Sequence, residues 1–270
     1  MKSVEAHYSA NDIETQIVAA LRTAGLDPQK RLSPTELAAL DHFHTGGFRA
    51  SLLLRELAQI RAEDRILDIG AGLAGPARML AANPGCHVEC IDLSQDYCVA
   101  AGLLNRLTGL EDRIAVNVGS ALDIPFSDDS FDVVWMQNVG MNIVNKQRLY
   151  EEINRVLKPG GRFAFQEMVA GETAATYFPL PWATDPADNS LISAAEMNAV
   201  LDRCGFEAIY FEDVSEEPLP TPISDTPEGV EQAPLSLSVY VSDLAEKAGN
   251  AARSLREHQI RLFRGVFRVK

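Results

Sequence analysis

Five short, apolar, β-branched runs follow one another through the middle of the chain: Arg65–Ile69, His87–Asp92, Ile114–Val118, Phe131–Met136 and Arg162–Met168. Helical stretches separate most of them, at about residues 76–83, 95–108 and 146–157. Strands of this texture are buried on both faces, and intervening helices imply a parallel sheet with right-handed crossovers. The alternation predicts an α/β sandwich, with helical layers on either side of one sheet. At 270 residues the chain can bury such a core.

The flanks have a different texture. Residues 1–64 read as helical, with apolar positions recurring at Ile13, Ile17, Val18 and Leu21, at Leu37 and Leu40, and at Leu52, Leu53 and Leu57. Ser33-Pro34-Thr35-Glu36 has the form of a helix start, with serine at the N-cap, proline at N1 and glutamate at N3. Beyond the alternating core, the segment 171–192 carries Tyr177, Phe178, Pro179, Pro181 and Trp182 and reads as a structured loop. A helix is predicted from Ser193 to Cys204, with Gly205 as its stop, then a strand over Phe206–Phe211. Pro218 to Pro234 reads as an exposed excursion, Leu235 to Leu262 as mostly helical, and Phe263–Val269 as a final strand. The chain thus divides into a helical cap (1–64), a ligand-binding core (65–169) and a segment (170–270) that supplies a lid and the remaining strands.

Charge excludes some partners. Lys and Arg total 24 against 38 Asp and Glu, a formal net charge of −14, which repels nucleic-acid backbones and anionic membranes. No apolar run reaches the roughly 18 residues that span a bilayer, and the N-terminus lacks an apolar signal core, so a cytoplasmic location is expected. Cys86, Cys90, Cys98 and Cys204 lack zinc-site spacing and read as reduced thiols. Asp41, His42 and His44 look ligand-like, but nothing completes a site, so no metal is expected. The basic run Arg253 to Lys270 reads as a packing or homodimer element rather than a nucleic-acid site.

The chemistry-bearing motif is Arg65-Ile66-Leu67-Asp68-Ile69-Gly70-Ala71-Gly72-Leu73-Ala74-Gly75. Gly70, Gly72 and Gly75 satisfy G-x-G-x-x-G, a pattern shared with dinucleotide-binding dehydrogenases. Asp68 separates the two classes. A carboxylate at the mouth of the turn repels a pyrophosphate and suits a ligand with positive charge there, such as the ammonium of S-adenosylmethionine. Asp92 ends the second strand, 20 residues after Gly72, where a carboxylate can accept both hydroxyls of a ribose. The plainer reading is that both aspartates cap nearby backbone, Asp92 at the helix starting near Ser94.

Leu67-Asp68-Ile69-Gly70-Ala71-Gly72 followed by Ile91-Asp92-Leu93-Ser94 resembles the class I S-adenosylmethionine-dependent methyltransferases. Three further blocks resemble that family in the expected order: Gly119–Phe126, Ser127–Trp135 and Leu157–Arg162. The resemblance implies a Rossmann-like three-layer sandwich with a seven-stranded, mostly parallel sheet in the order 3-2-1-4-5-7-6 and an antiparallel last strand. It also implies cofactor contacts from Asp68, Gly70, Ala71, Gly72, Asp92, Leu93, Ser120, Ala121, Leu122 and Gln137. Many relatives carry aspartate where Ser120 stands; a hydroxyl accepts a hydrogen bond more weakly.

Asp41–Gly47, Gln137–Ile143, Phe178–Ala183 and the C-terminal Ile260–Arg268 resemble small-molecule methyltransferases, nearest to the sarcosine/dimethylglycine N-methyltransferase type. That implies methyl transfer to a small molecule, with nitrogen as the first expectation. Oxygen, sulfur or carbon acceptors remain open, as does a catalytically silent cofactor-binding protein. Relatives often place histidine where Asn138 stands; asparagine orients a substrate but takes no proton at neutral pH. His44, Asn138 and Tyr177 are the candidate catalytic residues, and Tyr8, Met141, Asn142, Gln166, Glu167 and Trp182 the candidate substrate contacts. Aromatics in this set can hold a methylammonium group and Glu167 can pair with a cation, whereas Met141, Tyr177 and Trp182 have an alternative role as packing residues.

Overall fold

A computed structural model of the protein describes residues 13–217 and 235–270; Tyr8 and the proline-rich stretch 218–234 lie outside the described residues. Five strands, β1 (Arg65–Ile69), β2 (His87–Asp92), β3 (Ile114–Val118), β4 (Phe131–Gln137) and β5 (Leu157–Ala170), pair in parallel. β7 (Ile260–Val269) runs antiparallel between β5 and β6 (Phe206–Asp213). The sheet order is β3-β2-β1-β4-β5-β7-β6.

Alternate residues of each central strand enter opposite layers, as the two-residue period requires. Leu67, Val134, Phe163 and Phe165 pack with Leu149 and Ile153 of α6 (Lys146–Val156) and with Leu201 of α7 (Ala194–Arg203). Ile66, Val133, Trp135 and Ala164 pack on the other face with Leu54 of α3 (Gly47–Leu57) and Leu80 of α4 (Gly75–Ala82). Two helices before the sheet, α1 (Ile13–Thr23) and α2 (Pro34–Asp41), share a third cluster with Leu73, and with Tyr97, Ala100 and Leu104 of α5 (Gln95–Thr108). The N-terminal helices are thereby fixed over the turn that follows β1. Their anchor is local: Ser33 Oγ accepts from the Glu36 amide while Glu36 Oε2 accepts from the Ser33 amide, the capping box its sequence predicts.

Several boundaries differ from the sequence expectation. β5 begins at Leu157, where it pairs with Phe131, and continues to Ala170, which pairs with Ile260. Long-range pairing sets both ends. Helix fills only part of 235–262: a 3₁₀ turn (Leu237–Val239) precedes α8 (Leu244–Arg256). The last strand starts at Ile260, because buried Ile260, Leu262, Arg264 and Val266 form one period-two face. The basic C-terminal run is split between the end of α8, with Arg253 and Arg256, and the last strand, where Arg264 pairs with Glu217 at 2.8 Å and Arg268 with Glu207 at 2.7 Å. Cys86, Cys90 and Cys98 are buried thiols; burial first of all pushes Cys86 up to about 11 and Cys98 to about 12, so neither is a nucleophile at neutral pH.

Candidate active site

The carboxyl ends of β1 to β4 open into one cavity of about 960 Å3, roofed by α2, the segment before α3, and α8. Ligands bind at this end of open α/β sheets. The turn after β1 is held against β2 by Gly70 and Ala71, whose amides donate to Ile91 O at 2.8 and 3.2 Å. Gly70 has φ +66°, and a Cβ there would lie 2.9 Å from Val139 Cγ1, so the position requires glycine.

Two carboxylates stand beside this turn. Asp68 is 2% exposed, and its Oδ2 has no hydrogen-bond partner. Burial, then repulsion from Asp92, pushes its carboxyl up to about 8. Asp92 Oδ2 accepts from the Gly72 amide at 2.9 Å and Oδ1 from the Ser94 amide at 2.9 Å. Asp92 is thus both cavity wall and backbone anchor, while the helix cap falls to Ser94, whose Oγ accepts from the Tyr97 amide. Burial raises its carboxyl, with the amides of Ser94, Gly72 and Leu93 opposing. Ser120, Ala121 and Leu122 form the wall after β3, with Ser120 Oγ accepting from the Leu122 amide at 3.2 Å.

The end of β4 meets the loop before α3. Gln137 Oε1 accepts from Trp135 Nε1 at 3.0 Å and Ser51 Oγ at 2.9 Å, and His44 Nε2 lies 3.1 Å from that hydroxyl. Burial, then His42, drives the His44 imidazole down to about 3, so it is neutral at physiological pH. Asn138 adopts φ +55°, the left-handed region that asparagine tolerates better than most residues. Its Nδ2 reaches Thr45 Oγ1 at 3.4 Å, while Oδ1 is buried without a partner. Met141, Asn142 and Trp182 also line the cavity.

Three candidates lie elsewhere. Tyr177 is not among the lining residues: its hydroxyl donates to Glu257 Oε2 at 2.7 Å and the Arg253 guanidinium covers its ring at 3.8 Å. Gln166 is fully buried behind the cavity, donating to Thr45 O at 2.7 Å and accepting from Arg264 Nη2 at 3.0 Å. Glu167 is 1% exposed and accepts from the Val139 amide at 2.9 Å and the Gly140 amide at 3.0 Å. It anchors the 3₁₀ turn Gly140–Asn142 rather than facing a substrate; burial raises its carboxyl to about 7 against those bonds and Lys146.

A second buried network borders the cavity. Asp41 Oδ2 accepts from Arg78 Nη2 at 2.7 Å and Oδ1 lies 2.6 Å from His42 Nδ1; Arg78 also donates to Leu73 O and, at 2.8 Å, to Asn105 Oδ1. Burial works to raise Asp41, but Arg78 and His42 hold it below the usual carboxylate range. His42 lines the cavity, and its buried Nε2 has no partner. The sequence shows Asp41-His42 plainly, but Arg78 lies 37 residues away inside an apolar helix. The helical character of α8 is legible in the sequence, and its position over the cavity is not. Among the described residues no cluster of three metal-ligating side chains occurs, and no helix is long and apolar enough to cross a membrane.

The profile of the methyltransferase domain matches residues 67–165. The methyltransferase GfsG of Streptomyces halstedii is 30% identical over 187 residues, 68% of this chain and 67% of that protein. The chain belongs to the class I S-adenosylmethionine-dependent methyltransferases. The glycine/sarcosine/dimethylglycine N-methyltransferase of Actinopolyspora halophila is 40% identical to this methyltransferase over 157 residues, 58% of the chain but 28% of that longer protein. Geranyl diphosphate C-methyltransferase from Streptomyces coelicolor shares the fold, with TM-score 0.69 at 18% identity over 100% of this chain and 97% of that one. The cavity of this methyltransferase has room for the family's cofactor, and Asp68 Oδ2, a buried carboxyl oxygen without a partner among the described residues, is of the chemistry that suits a ligand's ammonium group.

Proposed function

We propose that this chain transfers the methyl group of S-adenosylmethionine to a neutral nitrogen of a small molecule, an amine or N-heterocycle. The observation that carries the reading is the unpartnered Asp68 carboxylate beside the glycine turn. When bound, the cofactor supplies a methyl group on a positively charged sulfur, open to in-line attack by a lone pair.

Asp68 pairs with the cofactor's ammonium, and Gly70, Ala71 and Gly72 offer backbone close to it. Asp92, braced by two amides, presents its remaining lone pairs to the ribose, with Leu93 beside it. Ser120, Ala121 and Leu122 flank the adenine. Gln137 positions His44 through Ser51, and the neutral imidazole shapes the acceptor's approach. The unpartnered Asn138 Oδ1 accepts an N–H from the acceptor. The cap and α8 exclude water, and a desolvated amine loses its proton more readily. Positioning and water exclusion then supply the rate, as a free lone pair needs no base.

Named relatives and neighbours include both N- and C-methyltransferases, and one observation favours oxygen as a second reading. His42 has its Nδ1 held by a carboxylate and its Nε2 unpartnered, the arrangement of a general base that removes a hydroxyl proton. Methyl-labelled cofactor assayed against amine and alcohol panels, with wild type and His42→Gln, separates the two. Nitrogen transfer survives the substitution within a few-fold; oxygen transfer falls about 100-fold or more. Tight cofactor binding with no turnover of any acceptor contradicts both and supports a silent binding protein.

A further inference from the structure

The cavity volume of about 960 Å3 lies near the top of the roughly 300–1,000 Å3 range of small-molecule sites. The polar groups assigned to the cofactor gather at one end, around Asp68, Asp92 and Ser120. The other end is built differently. α8 turns Leu244, Ala248, Ala251, Ala252 and Leu255 toward the cavity, the i, i+4, i+7, i+8, i+11 positions of one helical face. Three of these are alanines, which leave room rather than fill it. Met141, Met168 and Trp182 belong to the same apolar cluster as Ala251 and Leu255. The Trp182 N–H is already donated to Asn189 Oδ1 at 3.0 Å, so its ring is what remains for a ligand.

None of the residues of α8 or of the Met141–Met168–Trp182 wall that line this end is charged, and Lys247, buried on α8, is not among the lining residues. Of the described lining residues Arg49 alone is a lysine or arginine, and it is exposed on α3. Asp41 is committed to Arg78 and His42. A carboxylate or phosphate moved into the apolar end would lose its hydration without an ion partner, a cost of several kcal/mol.

We propose that the acceptor is a bulky, mainly apolar metabolite whose body carries no carboxylate or phosphate, packed between α8 and the Met141–Met168–Trp182 wall. The proposal rests on the methyl-transfer reading and narrows its substrate. It sets the site apart from one for a small zwitterion such as sarcosine or for a prenyl diphosphate, whose anionic groups require a cation.

The test uses the full chain saturated with S-adenosylhomocysteine, so that no turnover intervenes. Neutral probes (geraniol, decanol, testosterone) are titrated beside geranyl phosphate and sarcosine, with tryptophan fluorescence and calorimetry as readouts. At least one neutral probe binds saturably and at least tenfold tighter than geranyl phosphate and sarcosine. Ala248→Phe and Ala252→Phe, at half-buried positions on the cavity face, weaken that probe at least tenfold and leave S-adenosylhomocysteine affinity unchanged. Saturable binding of none of the neutral probes, equal or tighter binding of either anionic probe, or phenylalanine variants that still bind the neutral probe normally would overturn the proposal. Failure of wild type to bind S-adenosylhomocysteine would instead overturn the methyl-transfer reading, so the two failures are distinct.

Discussion

Replacing Asp68 by asparagine removes a charge the free protein scarcely carries. Its carboxyl sits at about 8, pushed there by burial and by Asp92, so at pH 7 about nine in ten free molecules hold it protonated. Pairing with a ligand ammonium favours the ionised form, so binding must release that proton. The bound state holds fewer protons than the free state, and affinity therefore rises with pH. With a free-state value of about 8 and a bound-state value well below 5.5, the dissociation constant for S-adenosylhomocysteine falls by between about one and two orders of magnitude between pH 5.5 and 7.5. Staying at or below pH 7.5 keeps most of the ligand's own amine charged. Calorimetry in buffers of different ionisation enthalpy measures the proton count, predicted at about 0.9 per binding event at pH 7. Asp68→Asn abolishes both the slope and the proton release, and weakens binding at pH 7.5 by about 10- to 100-fold, as expected for a lost bond to a charged group. The folded-state value lies above the unfolded one of 3.8, so the free wild type loses stability as pH rises from about 4 to 8, and the asparagine variant does not. A flat wild-type profile, or a slope that persists in Asp68→Asn, would refute the assignment.

Other substitutions probe the supports of the site. A Cβ at Gly75 would lie 2.7 Å from the Asp41 carbonyl carbon, so Gly75→Ala should cost about 2–3 kcal/mol and lower the melting temperature by about 5–10 °C; an unchanged melting curve would contradict the close packing of α2 on α4. Glu167→Ala strands the amides of Val139 and Gly140, and should cost about 2–5 kcal/mol in denaturant unfolding, with Glu167→Gln recovering part; a stable alanine variant with only weakened acceptor binding would restore Glu167 as a substrate contact. Ser120→Asp replaces a hydroxyl acceptor by a stronger carboxylate acceptor and should tighten S-adenosylhomocysteine by up to about tenfold; unchanged or weaker binding would place the adenine elsewhere.

The first three strands were legible residue for residue, because each is an apolar run bounded by turn residues or charge. β5 and β7 are longer than their apolar runs: Leu157, Ala170 and Ile260 become strand only through partners far along the chain. The glycine turn, Asp68 and Asp92 were visible because one continuous segment encodes strand, turn and helix. Gln166 and Glu167 stand at the right end of the right strand, yet their side chains serve Thr45, Arg264 and the Gly140 turn. No local pattern reports which buried amide a carboxylate will meet. Tyr177 sits in the loop segment expected to close the site, but the nearby Arg253 and Glu257 hold its ring and hydroxyl outside the cavity. Asp41 and His42 drew notice as metal-like residues, and their pairing with Arg78 needed the packing of α2 against α4 to be seen.

The central claim is that the glycine turn and Asp68 hold S-adenosylmethionine rather than a dinucleotide. Equilibrium titration of the purified chain with S-adenosylmethionine, S-adenosylhomocysteine and NAD tests it directly. The expected result is micromolar binding of the first two, heat-silent mixing with NAD, and loss of the first two in Asp68→Ala. Binding of NAD, or of none of the three, would contradict it.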